Sequence, residues 1–147
     1  MADIAHPKLQ RLYQYWTEKR CARSMPARAD IDPLEMRFVV GNVILIDVIA
    51  GTPPSFRIRL HGTRLAEHAG YELTGKMLDD MPEEEFRNLW RASGNEVVGT
   101  KQPLHAQRDR ILDGRLRRYE VIILPLSSND NDVDMILCGL IHDDERD

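Results

Sequence analysis

The first apolar pattern along the chain has the spacing of an α-helix. Leu9, Leu12, Tyr13 and Trp16 fall at positions i, i+3, i+4 and i+7 within residues 7–20. Residues with this spacing lie on one side of a helix. The pattern predicts an amphipathic N-terminal helix with an apolar, partly aromatic stripe.

A polar stretch follows this helix and ends in a helix-capping signal. In Asp32-Pro33-Leu34-Glu35, the aspartate can cap a helix, the proline fits its first position and the glutamate can complete a capping box. We therefore expect a short helix that closes near Gly41.

Five segments have the composition of β-strands, and turn-forming residues separate them. The second segment alternates, with Phe56, Ile58 and Leu60 on one face and Arg57, Arg59 and His61 on the other. The predicted strands are Asn42–Ile49, Ser55–His61, Leu104–Leu112, Arg117–Leu126 and Val133–His142.

A helical block is predicted between the second and third strands. Its first helix spans residues 63–69 and ends at Gly70, since glycine is typical of helix C-termini. Its second helix begins near Glu83, where glutamates favour the positive end of the helix dipole, and ends by Gly99 or Pro103.

The order of the strands in the sheet follows from which strands are apolar on both faces. Residues 42–49, 119–126 and 133–141 are apolar at nearly every position, which is typical of central strands. The second and third strands carry charges and therefore belong at the edges. Tight turns join the first two strands as a hairpin and the last three as a meander. The pattern predicts an α+β fold with a five-stranded antiparallel sheet of order 2-1-5-4-3.

This arrangement of two strands, a helical block and three strands resembles the PAS fold. The residues that carry a more specific resemblance, to a PAS-like family of mostly uncharacterised alphaproteobacterial proteins, are Leu12–Trp16, Arg23–Pro33, Phe56–Thr63 and Leu73–Lys76. The resemblance covers almost the whole chain. Its motifs are specific for the family but silent on activity. The resemblance implies signal sensing or protein interaction.

This interpretation of the sequence divides the chain into three parts. Residues 1–41 hold the N-terminal helix, a linker and the short capped helix, and residues 42–143 form the PAS-like core. Residues 144–147 are an acidic tail, which we expect to be solvated.

Composition narrows the class of protein further. A chain of 147 residues with 42% hydrophobic residues is long enough for one core but not for two. The net charge is −4 and the basic residues are spread out, so we expect no nucleic-acid partner. There is no membrane-spanning apolar run, and Cys21 and Cys138 have neither disulfide nor metal-site spacing. We expect a reduced, cytoplasmic protein.

One segment nearly matches a phosphate-binding loop. Residues 70–77 have the pattern G-x-x-x-x-G-K, but Met77 replaces the hydroxyl residue that would hold magnesium. The segment also follows a helix rather than a buried strand. We therefore expect no nucleotide hydrolysis.

No metal or cofactor is expected either. None of the five histidines forms a closely spaced pair, so a zinc site would need a spatial coincidence. Haem-binding PAS domains commonly take their axial histidine from the long helix before the third strand, but residues 83–98 contain none, and His68 lies earlier. Flavin-binding photosensor PAS domains need a cysteine after the second helix, where neither Cys21 nor Cys138 lies.

One enzyme class stays open as an alternative. The ketosteroid-isomerase-like cone also combines a curved sheet with helices, and it uses a buried carboxylate as a base. Asp47, alone among apolar neighbours on a central strand, would be that base. We favour a carboxylate paired with an arginine or a backbone amide, because an unpaired buried charge is costly.

PAS precedent places a small ligand between the sheet and the helical block. An apolar pocket with a few polar anchors is typical of such sites. The candidate pocket residues are Phe56, Ile58, Leu60, His61, Tyr71, Trp90, Arg117 and Tyr119.

The helical block can cover only one face of a sheet whose centre is apolar on both. The N-terminal helix is the candidate cover for the other face, through Leu9, Leu12, Tyr13 and Trp16, either on its own sheet or on that of a homodimer mate. We expect a homodimer, because an uncovered apolar sheet is an association site.

Two classes of function remain. The first is a standalone sensor whose small ligand shifts a conformational population. The second is a plain interaction module that recruits a separate signalling protein through its sheet face or first helix.

Overall fold

The computed structural model describes residues 3–145, which form a five-stranded antiparallel sheet of order β2-β1-β5-β4-β3 with helices on both faces. The strands are β1 (Val43–Ile49), β2 (Ser55–His61), β3 (Leu104–Leu112), β4 (Arg115–Leu126) and β5 (Met135–His142). The helices are α1 (Pro7–Arg20), α2 (Thr63–Ala69) and α3 (Glu84–Thr100). The predicted fold class and strand order are confirmed.

The ends of some strands differ from the prediction by one or two residues. β1 begins at Val43, because Asn42 completes a short 3₁₀ turn. β4 begins early at Arg115, because Asp113 and Gly114 both adopt a positive φ, of 53° and 72°. A two-residue turn of this kind keeps the flanking strands paired right up to the turn.

The Asp32 cap forms, but the expected short helix is a 3₁₀ turn over Pro33–Met36. Asp32 Oδ1 accepts a hydrogen bond from the Leu34 amide at 3.0 Å. Glu35 does not complete a capping box, because it accepts the hydroxyl of Tyr15 instead, at 2.8 Å. That hydroxyl oxygen also accepts the Asp32 amide, so α1 holds this turn in place.

Helix α1 covers the sheet face opposite α2 and α3. Leu9 and Leu12 are fully buried, and the indole N–H of Trp16 donates to the Pro125 carbonyl at 2.9 Å. The close approach requires Gly139 on β5, because a Cβ atom there would lie 2.8 Å from a methyl group of either leucine. The apolar sheet face is therefore covered within one chain.

This packing corresponds to one of the two alternatives left open for the apolar stripe on α1. Leu9, Leu12 and Trp16 belong to the chain's own core, and Tyr13 is half-buried with its ring stacked on Trp16, 6.1 Å between centroids. The alternative in which α1 covers its own sheet is the one observed. Homodimer formation stays a prediction, and its interface does not follow from this stripe.

A single buried carboxylate fixes the segment ahead of α1 to the sheet. Glu120 on β4 accepts the amides of Ala5 and His6 at 2.7 and 2.8 Å, and Nε2 of His105 lies 2.7 Å from it. Burial favours the neutral carboxyl group, but these hydrogen bonds outweigh it and lower the pKa of Glu120. The anchor is therefore ionised at neutral pH.

A β-bulge in β2 changes which side chains face the helical block. Ile46 on β1 pairs with Ile58 on β2, but the adjacent pair is Leu45 with Leu60, so β2 has one extra residue between these two pairs. The extra residue shifts the alternation. His61 is therefore buried on the helical side, whereas Leu60 is 38% exposed on the opposite face. This corrects the prediction that Leu60 continues the apolar face of β2.

The expected acidic tail, residues 144–147, is only partly as predicted. Residues 146 and 147 lie outside the described residues. The Glu145 side chain is only 4% exposed rather than solvated, because it accepts hydrogen bonds from the Asn42 side chain at 2.7 Å and the His142 amide at 3.0 Å.

Candidate functional site

An internal cavity of about 20 Å³ lies between the sheet and helices α2 and α3. A space of this size holds roughly one water molecule. Its walls are apolar except at His61, Tyr71 and Arg110. The lining residues are Ile44, Ile46, Ile58, His61, Leu65, Ala69, Tyr71, Leu73, Leu78, Met81, Phe86, Trp90, Arg110 and Leu140.

His61 enters the cavity wall because of the bulge in β2. Its Nδ1 accepts a hydrogen bond from the Leu73 amide at 3.1 Å, and its own amide donates to the Thr74 hydroxyl at 3.1 Å. Burial lowers the pKa of His61, and the nearby Arg110 lowers it further against the opposing effect of Glu72. The ring is therefore neutral at pH 7, and its accepting Nδ1 assigns the proton to Nε2.

A hydrogen-bonded chain of Tyr71, Glu83 and Arg110 closes one side of the cavity. Arg110 on β3 binds both carboxylate oxygens of Glu83, at 2.9 and 2.7 Å, and the Tyr71 hydroxyl donates to the same carboxylate. Burial, together with the Glu83 carboxylate, raises the pKa of Tyr71. The Arg110 guanidinium also lies 3.6 Å from the ring centroid of Phe86. We call Tyr71, Glu83 and Arg110 the latch.

Two residues that line the cavity each have a buried donor without a partner. The indole Nε1 of Trp90 and the Nε of Arg110 are both buried, and neither has a hydrogen-bond partner among the described residues. A buried donor without an acceptor costs about 1–3 kcal/mol. The cavity lining is therefore mostly apolar, and it lacks hydrogen-bond acceptors for two of its buried donors.

Half of the predicted pocket residues line this cavity. Ile58, His61, Tyr71 and Trp90 do so. Sequence reasoning missed Arg110 and chose Arg117 in its place, although the two are directly paired across β3 and β4. The available signal was the alternation within β3, where Arg110 shares its parity with the buried Leu112.

The other predicted pocket residues lie elsewhere, which corrects those assignments. Phe56 is buried against α3, where a Cβ added at Gly94 would meet its ring, and Tyr119 packs edge-on against the ring of Phe86. Leu60 is on the opposite sheet face because of the bulge. Arg117 turns away to an ion pair with Asp144.

Asp47 does not reach the cavity. Its strand neighbours Ile44 and Ile46 line the cavity, so Asp47, an odd number of residues from each, projects from the opposite face. There it forms an ion pair with Arg59, at 2.9 Å. The arginine pairing is as expected, and this position gives Asp47 no access to a substrate in the cavity.

The loop that nearly matches a phosphate-binding motif runs alongside β2 and forms backbone hydrogen bonds with it. Gly70 ends α2 in the left-handed conformation, with φ of 82°. Farther along, the Gly75 amide donates to the Ile58 carbonyl, and the Ile58 amide donates to the Lys76 carbonyl. Both bonds tie this segment to the edge of the sheet next to the cavity.

Residues 4–141 match the sequence profile of the PAS domain. The chain belongs to the PAS domain family. PAS domains are sensory modules and in general are not catalytic. The sequence matches no curated protein.

Solved structures support the same fold. The PAS domain of BvgS from Bordetella pertussis is 21% identical, with a TM-score of 0.56 over 79% of this chain and 90% of that one. A LOV protein from Rhodobacter sphaeroides is 10% identical, with a TM-score of 0.53 over 78% of this chain and 70% of that one. At these identities the likeness establishes the PAS fold and nothing about ligands.

The cavity of this PAS domain is much smaller than ordinary ligand pockets, which have volumes of about 300–1,000 Å³, whereas this cavity has about 20 Å³. Cys138 is not among the lining residues, and Cys21 is exposed.

Within residues 3–145, no helix is both long enough and apolar enough to cross a membrane.

Proposed function

We propose that this protein is a cytoplasmic sensory PAS domain whose cavity binds a small molecule that accepts hydrogen bonds. The observation that carries the proposal is a pair of buried, unpaired donors on residues that line the cavity, Trp90 Nε1 and Arg110 Nε. An acceptor placed between apolar walls would satisfy these donors and orient the molecule.

The charge of the latch favours a neutral ligand. Glu83 already balances the guanidinium of Arg110, so an anion would bring an uncompensated charge into an apolar cavity. A carbonyl oxygen supplies the acceptor without that cost. Small aldehydes, ketones and amides are therefore the ligand class that fits best.

Binding of an organic ligand requires the cavity to widen, and the latch is the part that would move. Tyr71 lies directly after Gly70, in the segment between α2 and α3, whereas Arg110 belongs to the sheet. A ligand that displaces the Tyr71–Glu83 contact would separate this segment from β3. The sensory step is then a shift in population between a latched and an unlatched domain.

Trp90 provides the test. In a Trp16→Phe background it is the single tryptophan, so its fluorescence reports on the cavity. We expect acetone, butanone or acetamide to change this emission and to raise Tm, and acetate to have a weaker effect.

Binding measured by thermal shift should fall at least tenfold in Trp90→Phe, which keeps a ring but removes the N–H donor. Arg118→Gln is the matched control, because this arginine on β4 is exposed. Equal binding to Trp90→Phe, or no response to any of the neutral compounds, would contradict the proposal.

A protein-interaction role has a separate observation in its favour. Ile111 and Leu116, paired across the tip of the β3–β4 hairpin, are 63% and 72% exposed. We propose that a second copy of the domain docks on this apolar pair. In sedimentation velocity, the double variant Ile111→Thr/Leu116→Thr should be monomeric at concentrations where the parent is dimeric. An identical distribution for both proteins would eliminate this interface.

A further inference from the structure

Three side chains of the kind that bind metal ions meet at one end of the sheet, outside the cavity. His68 lies on α2, His142 ends β5, and Glu145 follows three residues later. One ligand atom from each lies within 4.8 Å of the other two, and the two imidazole centroids are 4.8 Å apart. The sequence gives no warning of this cluster, because its histidines come from distant parts of the chain.

Two of the three distances within the cluster are close to those of a metal site, and the ligand atoms of the two histidines lie within 4.8 Å of each other. Glu145 Oε1 lies 3.3 Å from Nδ1 of His142 and 3.6 Å from Nε2 of His68. Around a tetrahedral zinc ion with bonds of about 2.0–2.1 Å, two ligand atoms lie roughly 3.3 Å apart. The His68 side chain is 23% exposed, which leaves an open side for entry and for a solvent ligand.

A second set of contacts orients the carboxylate. The other oxygen of Glu145, Oε2, accepts the side-chain amide of Asn42 at 2.7 Å, and Nη1 of Arg64 lies 3.8 Å from it. The same Asn42 amide also donates to the Leu140 carbonyl, at 3.1 Å. These contacts leave Oε1 facing both histidines. Partners that fix a ligand through its other atoms are typical of metal centres.

We propose that His68, His142 and Glu145 form a three-ligand site for a divalent transition-metal ion of the zinc class, with solvent as the fourth ligand. Two imidazoles and one carboxylate are the donor set of such ions. The ion would tie α2, which also supplies Leu65 and Ala69 to the cavity wall, to the end of β5. This role goes beyond the proposed ligand sensing and does not depend on it.

Metal titration of the chelator-treated, tag-free protein tests the site. A Cys21→Ser background removes the exposed thiol, which could bind metal by itself. We expect one Zn²⁺ per chain by calorimetry, a rise in Tm, and the visible absorption bands of tetrahedral Co²⁺. His68→Gln should weaken binding by at least tenfold.

Two further variants keep the result interpretable. Glu145→Gln retains a hydrogen-bonding oxygen but loses the charged ligand, so it should fold and bind at least tenfold more weakly. His105→Gln is the matched control, because His105 also faces a carboxylate but lies outside the cluster. Parent-like affinity in folded His68→Gln and Glu145→Gln, or no stoichiometric uptake by the parent, would overturn the proposal.

Discussion

Replacement of Trp16 by alanine should destabilise the monomer, because this side chain holds α1 on the sheet. Trp16 is only 3% exposed. Truncation of a buried tryptophan costs about 3–5 kcal/mol, and its lost hydrogen bond to the Pro125 carbonyl adds about 1 kcal/mol. The sum, about 4–6 kcal/mol, is a large part of the total stability of an ordinary domain.

Two companion variants divide this loss into its parts. Trp16→Phe keeps most of the ring but removes the N–H donor, so it should cost about 1–3 kcal/mol. Leu34→Ala, at a side chain that is 68% exposed, should stay within about 0.5 kcal/mol of the parent.

Urea denaturation followed by far-UV circular dichroism measures these free energies without relying on tryptophan fluorescence. Sedimentation velocity on the same samples reports the oligomeric state. A loss below about 1 kcal/mol in Trp16→Ala, combined with a smaller sedimentation coefficient, would refute the reasoning. It would mean that α1 covers a partner's sheet rather than its own.

Three other predictions test separate parts of the structure. In urea denaturation, Gly62→Ala should lower the free energy of unfolding by about 3 kcal/mol, because the new Cβ would lie 2.4 Å from a backbone oxygen. Gly99→Ala in α3, where the new Cβ has open space around it, should raise that free energy by about 0.5–1 kcal/mol. Equal effects of the two substitutions would contradict this packing. Glu120→Gln should speed hydrogen exchange at the two N-terminal amides bound to this carboxylate. Because folding lowers the pKa of Glu120, its contribution to stability is present above the unfolded pKa and is lost as the pH falls through the folded pKa. The loss of stability in acid should therefore be smaller in Glu120→Gln. An unchanged dependence of stability on pH would count against the anchor. A thiol reagent should label Cys21 at once and Cys138 only after unfolding, since burial raises the pKa of Cys138; two fast thiols in the native protein would contradict its burial.

Periodicity predicts the sheet because the strands differ in how many of their faces are buried. β5 is buried at every position and lies in the middle, whereas β3 keeps charged, exposed positions and lies at an edge. The glycine at position 139 was the available sign that something approaches the other face closely, since glycine inside a central strand commonly marks such contact.

The site was harder to predict than the fold. The bulge leaves no trace in the sequence, because residues 55–61 alternate without a break, and only the pairing with β1 reveals that His61 replaces Leu60 on the helical side. Alternation within β3 places Arg110 on the same face as Leu112, but its strand partner Arg117 lies on that face too, so only side-chain packing distinguishes the two arginines. The meeting of His68 with His142 depends on tertiary structure alone.

The cover that α1 provides acts as a built-in competitor. A protein that binds the central strands must first displace α1, and the free energy needed for this displacement weakens the binding. If Trp16 accounts for about 4 kcal/mol of it, the reduction is roughly a thousandfold. Weak apolar binders are therefore kept off this face, and only a partner that replaces the Trp16 anchor with contacts of its own can reach it.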